Sequence, residues 1–242
     1  MEKPLPIRIL STRALGNAAR DFIHHENWLV DIISFIETHG VINVDQLADF
    51  LAACKEPCQN FLLLFSSENA VKWLKWGLER YGFELPPGLK AICVGEKTLR
   101  AAENMLGVKP MLAVKNSQTL LSNMKETIPS GITFLYCCGG NRLNTLPLGL
   151  KAVGFAVKEF VVYETQLTPH TTLKDYNAIL FFSPSAVESY FSVNQWDKNR
   201  VAVSIGHTTS EALTKAGVER ILIADEPNEI AMLSKLHDFI KN

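Results

Sequence analysis

Short apolar runs, rich in β-branched and aromatic residues, alternate with amphipathic stretches along most of the chain. The run 61–65 is one example, and in the stretch that follows it Val71, Leu74 and Leu78 recur at helical spacing. Strands that alternate with helices usually pair in parallel, and helices cover both faces of the resulting sheet. The alternation therefore predicts an α/β fold built on parallel sheets.

The same pattern places most of the elements. We predict strands in the apolar runs at 7–12, 28–36, 61–65, 91–94, 133–137, 157–165, 178–182, 201–205 and 221–224. We predict helices in the amphipathic stretches at 18–25, 45–54, 68–81, 96–106, 143–153, 185–191, 208–216 and 228–240. Glycine follows several of these helices, at Gly82, Gly107 and Gly154 for example, where it favours helix termination.

Composition excludes several classes of protein. Hydrophobic residues make up 47% of the 242 residues and charged residues 20%, which is typical of a globular chain and not of a disordered one. The 24 basic and 25 acidic residues leave a formal net charge of −1, so there is no broad basic field to hold nucleic acid or an anionic membrane. We therefore expect neither partner, and any anionic ligand must be held by local groups.

Targeting and cofactor motifs are not found in the sequence. No apolar run is long enough to span a membrane, and Met1-Glu2-Lys3-Pro4 does not begin a secretory leader, so we expect a cytoplasmic protein. The five cysteines show no zinc spacing, and we expect reduced, mostly buried thiols and no bound metal. Gly139-Gly140 lacks the Lys-Ser/Thr ending of a phosphate loop, and there is no GxGxxG motif, so a nucleotide cofactor is not expected.

Two pairs of segments resemble each other. Segment 65–71 is similar to 182–187 when both are aligned on Ala-Val, which matches Ser67 with Ser183. Farther along, Gly95 and its flanking residues are similar to Gly206 and its flanking residues. Similar strand–turn–helix pairs at nearly constant separation indicate two homologous lobes, and the separation is too long for a solenoid repeat.

Each matched turn places a small or hydroxylated residue between a strand and a helix. One interpretation is N-capping, because Ser, Thr and Asn satisfy the free N–H groups at the start of any helix. The other is ligand binding, because open sheets bind ligands at the carboxyl ends of their strands and free N–H groups there attract anions. Several such turns facing each other across a cleft would bind a ligand that carries many carboxylates.

A longer pattern carries a family resemblance. Its residues are Tyr136-x2-Gly139-x2-Arg142-x3-Leu146-x3-Leu150-x3-Gly154-x2-Val157-x5-Tyr163, and their spacing resembles the central signature of the uroporphyrinogen-III synthases. Shorter motifs agree in order and position, namely Thr12-Arg13, Ser67-x-Asn69-Ala70-Val71, Val94-Gly95-x2-Thr98, Ser183-Pro184-Ser185-Ala186-Val187 and Ile205-Gly206-x-Thr208-Thr209. The chain departs from the family at Ala14, where proline is common, and at Glu68 and Glu96, which add negative charge to two of the turns.

The resemblance implies a particular domain organisation. The family has two similar α/β lobes, each a parallel sheet flanked by helices, joined by two crossing linker segments. On this chain, residues 1–35 plus 168–242 would form a discontinuous lobe and residues 40–162 an inserted lobe. The linkers would lie near 36–39 and 163–167. The composition of the chain gives no independent sign of these boundaries.

The resemblance also implies a reaction that needs no cofactor. Its substrate would be hydroxymethylbilane, a linear tetrapyrrole with eight carboxylates. The hydroxymethyl end loses water to give an azafulvene, and the last pyrrole attacks through its substituted carbon to form a spiro intermediate. Fragmentation and reclosure then give uroporphyrinogen III, with the last ring inverted, in the biosynthesis of haem. Transient contact with the preceding deaminase and a monomeric state are further expectations.

The resemblance implies site residues of two kinds. Tyr163 is the candidate for assisting water loss, because a phenol is protonated at neutral pH and can donate to a leaving hydroxyl. The candidates for substrate binding are Arg13, Ser67, Asn69, Gly95, Thr98, Gly139, Arg142, Ser183, Ser185, Gly206, Thr208 and Thr209. The two arginines would pair with carboxylates, and backbone N–H groups beside the glycines would matter at least as much as the side chains.

Simpler interpretations remain open for these residues and for the protein. Tyr163 suits a strand residue packed in a sheet, and Arg142 suits a solvated charge at the start of a helix. A non-catalytic protein of the same fold, clamping a small ligand between two lobes, is the alternative function. An unrelated doubly wound transferase is a third, but it would need a nucleotide or metal signature that the sequence does not show.

Overall fold

The computed structural model describes residues 6–55, 60–114 and 117–241. The chain divides into two compact units: Met1–Glu37 with Gln166–Asn242, called unit 1 below, and Thr38–Thr165, called unit 2. Each unit contains one sheet with helices packed against it. The chain passes between the units within two strands, Ile36–Gly40 and Ala156–Leu167.

The described elements alternate as the sequence predicts. The strands are β1 (Arg8–Ser11), β2 (Leu29–Ile32), β3 (Ile36–Gly40), β4 (Phe61–Phe65), β5 (Lys90–Val94), β6 (Lys109–Val114), β7 (Thr133–Gly139), β8 (Ala156–Leu167), β9 (Ala178–Phe181), β10 (Val201–Ser204) and β11 (Ile221–Ile223). The helices are α1 (Asn17–His25), α2 (Val44–Ala53), α3 (Glu68–Tyr81), α4 (Glu96–Leu106), α5 (Ser117–Thr127), α6 (Thr145–Ala152), α7 (Pro184–Phe191), α8 (His207–Lys215) and α9 (Glu229–Lys241).

Two predictions about these elements were wrong, and one pair of elements was missed. The run 28–36 is not one strand, because it contains β2, a break at 33–35 and the start of β3, which belongs to the other sheet. The pair β6 and α5 was missed, because a proline such as Pro110 argues against a strand in the sequence. Strand β6 lies at the edge of its sheet, where proline is tolerated. Helix α6 begins two residues later than predicted, so Arg142 and Leu143 lie in the preceding loop.

Both sheets have the doubly wound arrangement. Strand order is β11-β10-β9-β1-β2 in unit 1 and β3-β8-β7-β4-β5-β6 in unit 2. The pairs β1–β2, β1–β9, β9–β10 and β10–β11 are parallel, as are β4–β5, β4–β7, β5–β6 and β7–β8. The order reverses between β1 and β9 in unit 1 and between β4 and β7 in unit 2. Ligands of such sheets bind beyond the carboxyl ends of the strands at these switch points.

Each sheet is buried on both faces. Strand β4 shows this directly, because all five of its residues are buried. Leu63 and Phe65 pack beneath α2, α3 and α4, whereas Leu62 and Leu64 pack on the opposite face with α5 and α6. Strands buried on both faces have continuous apolar sequences, which is why this run contains no polar residue. The rigid sheet fixes the positions of the turns at its carboxyl edge.

Candidate functional site

The two turns matched by the internal repeat have the same structure. Ser67 is the N-cap of α3, and its Oγ accepts a hydrogen bond from the backbone N–H of Ala70 at 3.2 Å. Ser183 is the N-cap of α7, and its Oγ accepts from the N–H of Ala186 at 3.1 Å. Both serines therefore cap helices, as the simpler interpretation of the turns requires. They also stand at the switch points of their sheets, because α3 follows β4 and α7 follows β9.

At the second pair of turns, backbone N–H groups are more accessible to a ligand than side chains are. Gly95 and Gly206 are the N-caps of α4 and α8. Thr98 and Thr209 occupy the third position of these helices, and only 4% and 3% of their surfaces are exposed. Thr208 is exposed. A ligand at either turn therefore meets the free N–H groups of the first helical turn before it meets a buried threonine.

Two tyrosines hold the turn between β4 and α3 in unit 2. The hydroxyl groups of Tyr136 and Ser66 are 2.7 Å apart, and those of Tyr163 and Ser67 are 3.3 Å apart. Burial raises the pKa of Tyr136 to about 12. Burial also raises the pKa of Tyr163 above its ordinary value, and the hydrogen bond with Ser67 opposes this shift. Both phenols are therefore protonated at neutral pH and available as donors.

A bulge in β8 directs Tyr163 toward Ser67. The register pairs Cys138 with Val161 and then Gly139 with Tyr163, so Val162 is an extra residue in β8. Val161 packs on the face covered by α5 and α6, whereas Val162 and Tyr163 both pack in the core beneath α3. Strict alternation would place Tyr163 on the same face as Val161. The bulge reverses this orientation, as bulges next to functional sites often do.

Glycine is required at the end of β7, where β8 bulges beside it. A Cβ atom on Gly139 would lie 2.6 Å from Cζ of Tyr163, which is closer than real Cβ contacts allow. A Cβ on Gly140 would overlap the carboxylate of Glu164, and the N–H of Gly140 donates to the carbonyl of Tyr163 at 3.0 Å. The Gly139-Gly140 pair therefore gives the side chains of β8 room against the backbone of β7.

The candidate arginine of unit 2 is paired. Arg142, in the loop between β7 and α6, makes an ion pair and a hydrogen bond with Glu159 of β8. The side chains are 25% and 22% exposed, so Arg142 is not a freely solvated charge. Glu159 was missed by the sequence analysis, because β8 also contains Lys158 and Glu164 and no local pattern distinguishes Glu159 from them.

The candidate arginine of unit 1 is paired in the same way. Nη2 of Arg13 lies 3.0 Å from Oε1 of Glu229, and its guanidinium carbon lies 4.1 Å above the ring of Phe182. Oε2 of Glu229 accepts from the N–H of Gly16, at the start of α1, at 2.9 Å. Glu229 could not be anticipated, since it is 216 residues from Arg13. Each arginine thus lies near a switch point with its charge already compensated.

The remaining candidates flank these turns. Asn69 and Ser185 both occupy the second position of their helices and are half-buried. Four described cysteines, Cys54, Cys93, Cys137 and Cys138, are buried, and Cys58 lies outside the described residues. In the described ranges, no three metal-ligating side chains form a group that could hold an ion. No described helix is both long enough and apolar enough to cross a membrane.

Together these features define a class of protein, namely α/β proteins of two units that present helix N-termini at the carboxyl edges of their sheets. The chain has two doubly wound α/β units, and each presents a serine-capped helix, a glycine-capped helix and a compensated arginine at the carboxyl edge of its sheet. Unit 2 adds the phenol of Tyr163. Such an edge suits a polyanionic ligand held by backbone N–H groups.

Comparison with known proteins identifies the family. A family model described as uroporphyrinogen-III synthase HemD matches residues 26–234, and the chain belongs to this family. A curated uroporphyrinogen-III synthase from Chlorobaculum parvum is 28% identical over 180 residues, a match that covers 67% of this chain and 73% of that protein.

Solved structures agree on the fold. A mutant uroporphyrinogen III synthase from the extremely thermophilic bacterium Thermus thermophilus matches with a TM-score of 0.66 and 19% identity, covering 97% of this chain and 99% of that one. The enzyme from Helicobacter pylori 26695 matches with a TM-score of 0.64 and 19% identity, covering 96% and 99%. At this identity the likeness concerns the fold alone, and it confirms the predicted α/β class.

Proposed function

We propose that this protein catalyses the conversion of hydroxymethylbilane to uroporphyrinogen III, with loss of water and inversion of the last pyrrole ring. The observation that carries the proposal is the phenol of Tyr163, which a bulge and two glycines direct to the unit 2 switch point. It lies within the span matched by the family. Because water leaves as the ring closes, the reaction class is that of a cyclising hydro-lyase.

Tyr163 supplies the proton for water loss. The leaving hydroxyl of the substrate needs a hydrogen-bond donor as its bond to carbon breaks. The raised pKa of Tyr163 keeps the phenol protonated from neutral to mildly alkaline pH. The azafulvene that forms is stabilised by its own conjugation, so the enzyme needs only a modest contribution from this donor.

The turns hold the carboxylates of the substrate. The helices α3, α4, α7 and α8 each direct free N–H groups to a carboxyl edge, and these groups favour anions. Arg13 and Arg142, each paired with a glutamate, contribute directed donors without a large net positive charge. Positioning of this kind supplies roughly 7–11 kcal/mol in favourable cases, enough to favour attack through the substituted carbon.

The accompanying assignments complete the proposal. The reaction uses no cofactor, because its bond changes require only proton transfer and positioning. We assign the protein to the cytoplasm as a monomer that receives its unstable substrate from the preceding deaminase. Each unit closes a core of its own, which is consistent with a monomer.

A coupled assay tests the activity. Hydroxymethylbilane is generated in situ by its synthase, this protein is added, and the oxidised porphyrin isomers are separated by chromatography. Predominant isomer III supports the proposal. Isomer I alone, as in a blank without the protein, from a sample shown to be folded by circular dichroism would overturn it in favour of the non-catalytic ligand-binding alternative.

Tyr163→Phe is expected to reduce isomer III formation by about 10- to 100-fold without abolishing it, since a general acid contributes about 10²–10⁴-fold and the leaving water is assisted by the substrate itself. The measurement is the initial rate in the coupled assay. Tyr81→Phe, in the same unit at the end of α3, is the matched control and keeps the wild-type rate. An unchanged rate in a folded Tyr163→Phe protein would remove the phenol from the mechanism.

A further inference from the structure

We propose that Ser67 is a positioning residue that acts through Tyr163, and not a direct contact of the substrate. The inference rests on the proposed function, because it assigns Ser67 a part in presenting the phenol. It replaces the expectation that Ser67 binds a carboxylate.

The hydrogen bonds of Ser67 determine what its hydroxyl can do. A serine hydroxyl has one proton to donate and two lone pairs to accept with. One lone pair accepts the N–H of Ala70, which fixes the oxygen at the N-cap of α3. The phenol oxygen of Tyr163 lies 3.3 Å away on the side directed by the bulge in β8. If the hydroxyl donates to the phenol, it has no proton left to donate to a carboxylate of the substrate.

The direction of the bond with Tyr163 decides its use. Accepting an N–H polarises the Ser67 hydroxyl and makes its own proton a better donor, since linked hydrogen bonds strengthen one another. Ser67 then donates to the phenol oxygen, and the proton of Tyr163 stays free for the leaving hydroxyl. The reverse direction would commit the phenol proton to Ser67. A phenol that receives one hydrogen bond and gives another is held in a single orientation.

The internal repeat separates this role from capping. Ser183 caps α7 with the same backbone geometry and the same alanine donor position as Ser67. Within the described residues, Ser183 Oγ accepts its hydrogen bond from Ala186, whereas Ser67 also meets a phenol. Capping alone thus accounts for a serine in both turns. Of the two described turns, only that of unit 2 has the phenol contact, beside the bulge in β8.

Ser67→Gly tests the proposal with little effect on the cap, because glycine replaces serine at an N-cap at a cost of only about a few tenths of a kcal/mol. We expect kcat to fall about three- to tenfold, the equivalent of one net hydrogen bond, with KM unchanged. Ser67→Thr, which retains the hydroxyl, is expected to restore most of the rate. The control is Asn43→Gly, which removes the side-chain cap of α2 in the same unit and leaves both parameters unchanged.

A double-mutant cycle decides between the two roles of Ser67. If Ser67 acts through the phenol, Ser67→Gly combined with Tyr163→Phe is no slower than Tyr163→Phe alone. A direct contact with substrate would instead multiply the two losses and raise KM, and this result overturns the inference, as does an unchanged kcat in Ser67→Gly. Failure of the proposed function is distinguishable, because the wild-type protein would then produce isomer I alone.

Discussion

Gly139→Ala is expected to reduce the rate of isomer III formation by at least about tenfold and to destabilise unit 2 by about 1–3 kcal/mol, the usual cost of overpacking. The new methyl group would lie 2.6 Å from Cζ and 2.9 Å from Cε2 of Tyr163, so the ring must move. Such a movement changes the contact of the phenol with Ser67, which it meets at 3.3 Å. This single methyl group therefore alters the orientation of the Tyr163 phenol without changing the phenol itself.

Two measurements test the prediction, and a Tyr163→Ala background provides the control. Denaturant unfolding gives the loss of stability, and the coupled assay gives the rate. In a Tyr163→Ala background the ring is absent, so adding Gly139→Ala should cost less than about 0.5 kcal/mol. Gly206→Ala is the stability control, because no atom lies within 4 Å of the position that its methyl group would take and its backbone is extended. Equal costs in both Tyr163 backgrounds would contradict the proposed packing.

Local sequence patterns predicted most of the fold because burial on both faces of a sheet leaves a local trace. Strand β4 is apolar throughout and was predicted with its observed limits. Helix α2 was predicted at 45–54, and the structure begins it at Val44, after a capping box between Asn43 and Gln46. The prediction of one strand at 28–36 was wrong because an apolar run shows burial only. It does not show that β2 and β3 join different sheets.

The arrangement of the site could be predicted only in part. The positions of Ser67 and Ser183 followed from the repeat, because an N-cap is a local feature of sequence. The bulge at Val162 could not be predicted, since it depends on how β7 and β8 align. The glutamate that pairs with Arg142 depends on the same alignment of β7 with β8, and the one that pairs with Arg13 is 216 residues away along the chain. The helix caps could therefore be predicted from the sequence, whereas the orientation of Tyr163 and the ion pairs of the two arginines could not.

Phe65→Ala is expected to lower the free energy of unfolding of unit 2 by about 3–5 kcal/mol, the usual cost of removing a buried phenylalanine. Phe65 ends β4, is fully buried, and packs in the core beneath α3, directly before the turn that carries Ser66 and Ser67. Hydrogen exchange measured by mass spectrometry would show faster exchange across residues 38–165. Phe239→Ala, at a side chain that is 42% exposed, is the control and should cost far less.

Phe181→Ala should have the same effect on the other unit. Phe181 ends β9, is also fully buried, and precedes the turn of Ser183, as Phe65 precedes that of Ser67. Each described core cluster takes its residues from one unit alone, so a cavity in one core removes no packing from the other. Faster exchange should therefore appear in residues 1–37 and 166–242 for Phe181→Ala and in 38–165 for Phe65→Ala. If either substitution accelerates exchange equally in both units, the two cores do not unfold independently. The internal repeat would then reflect shared ancestry of the two sequences and would not mark two independently stable units.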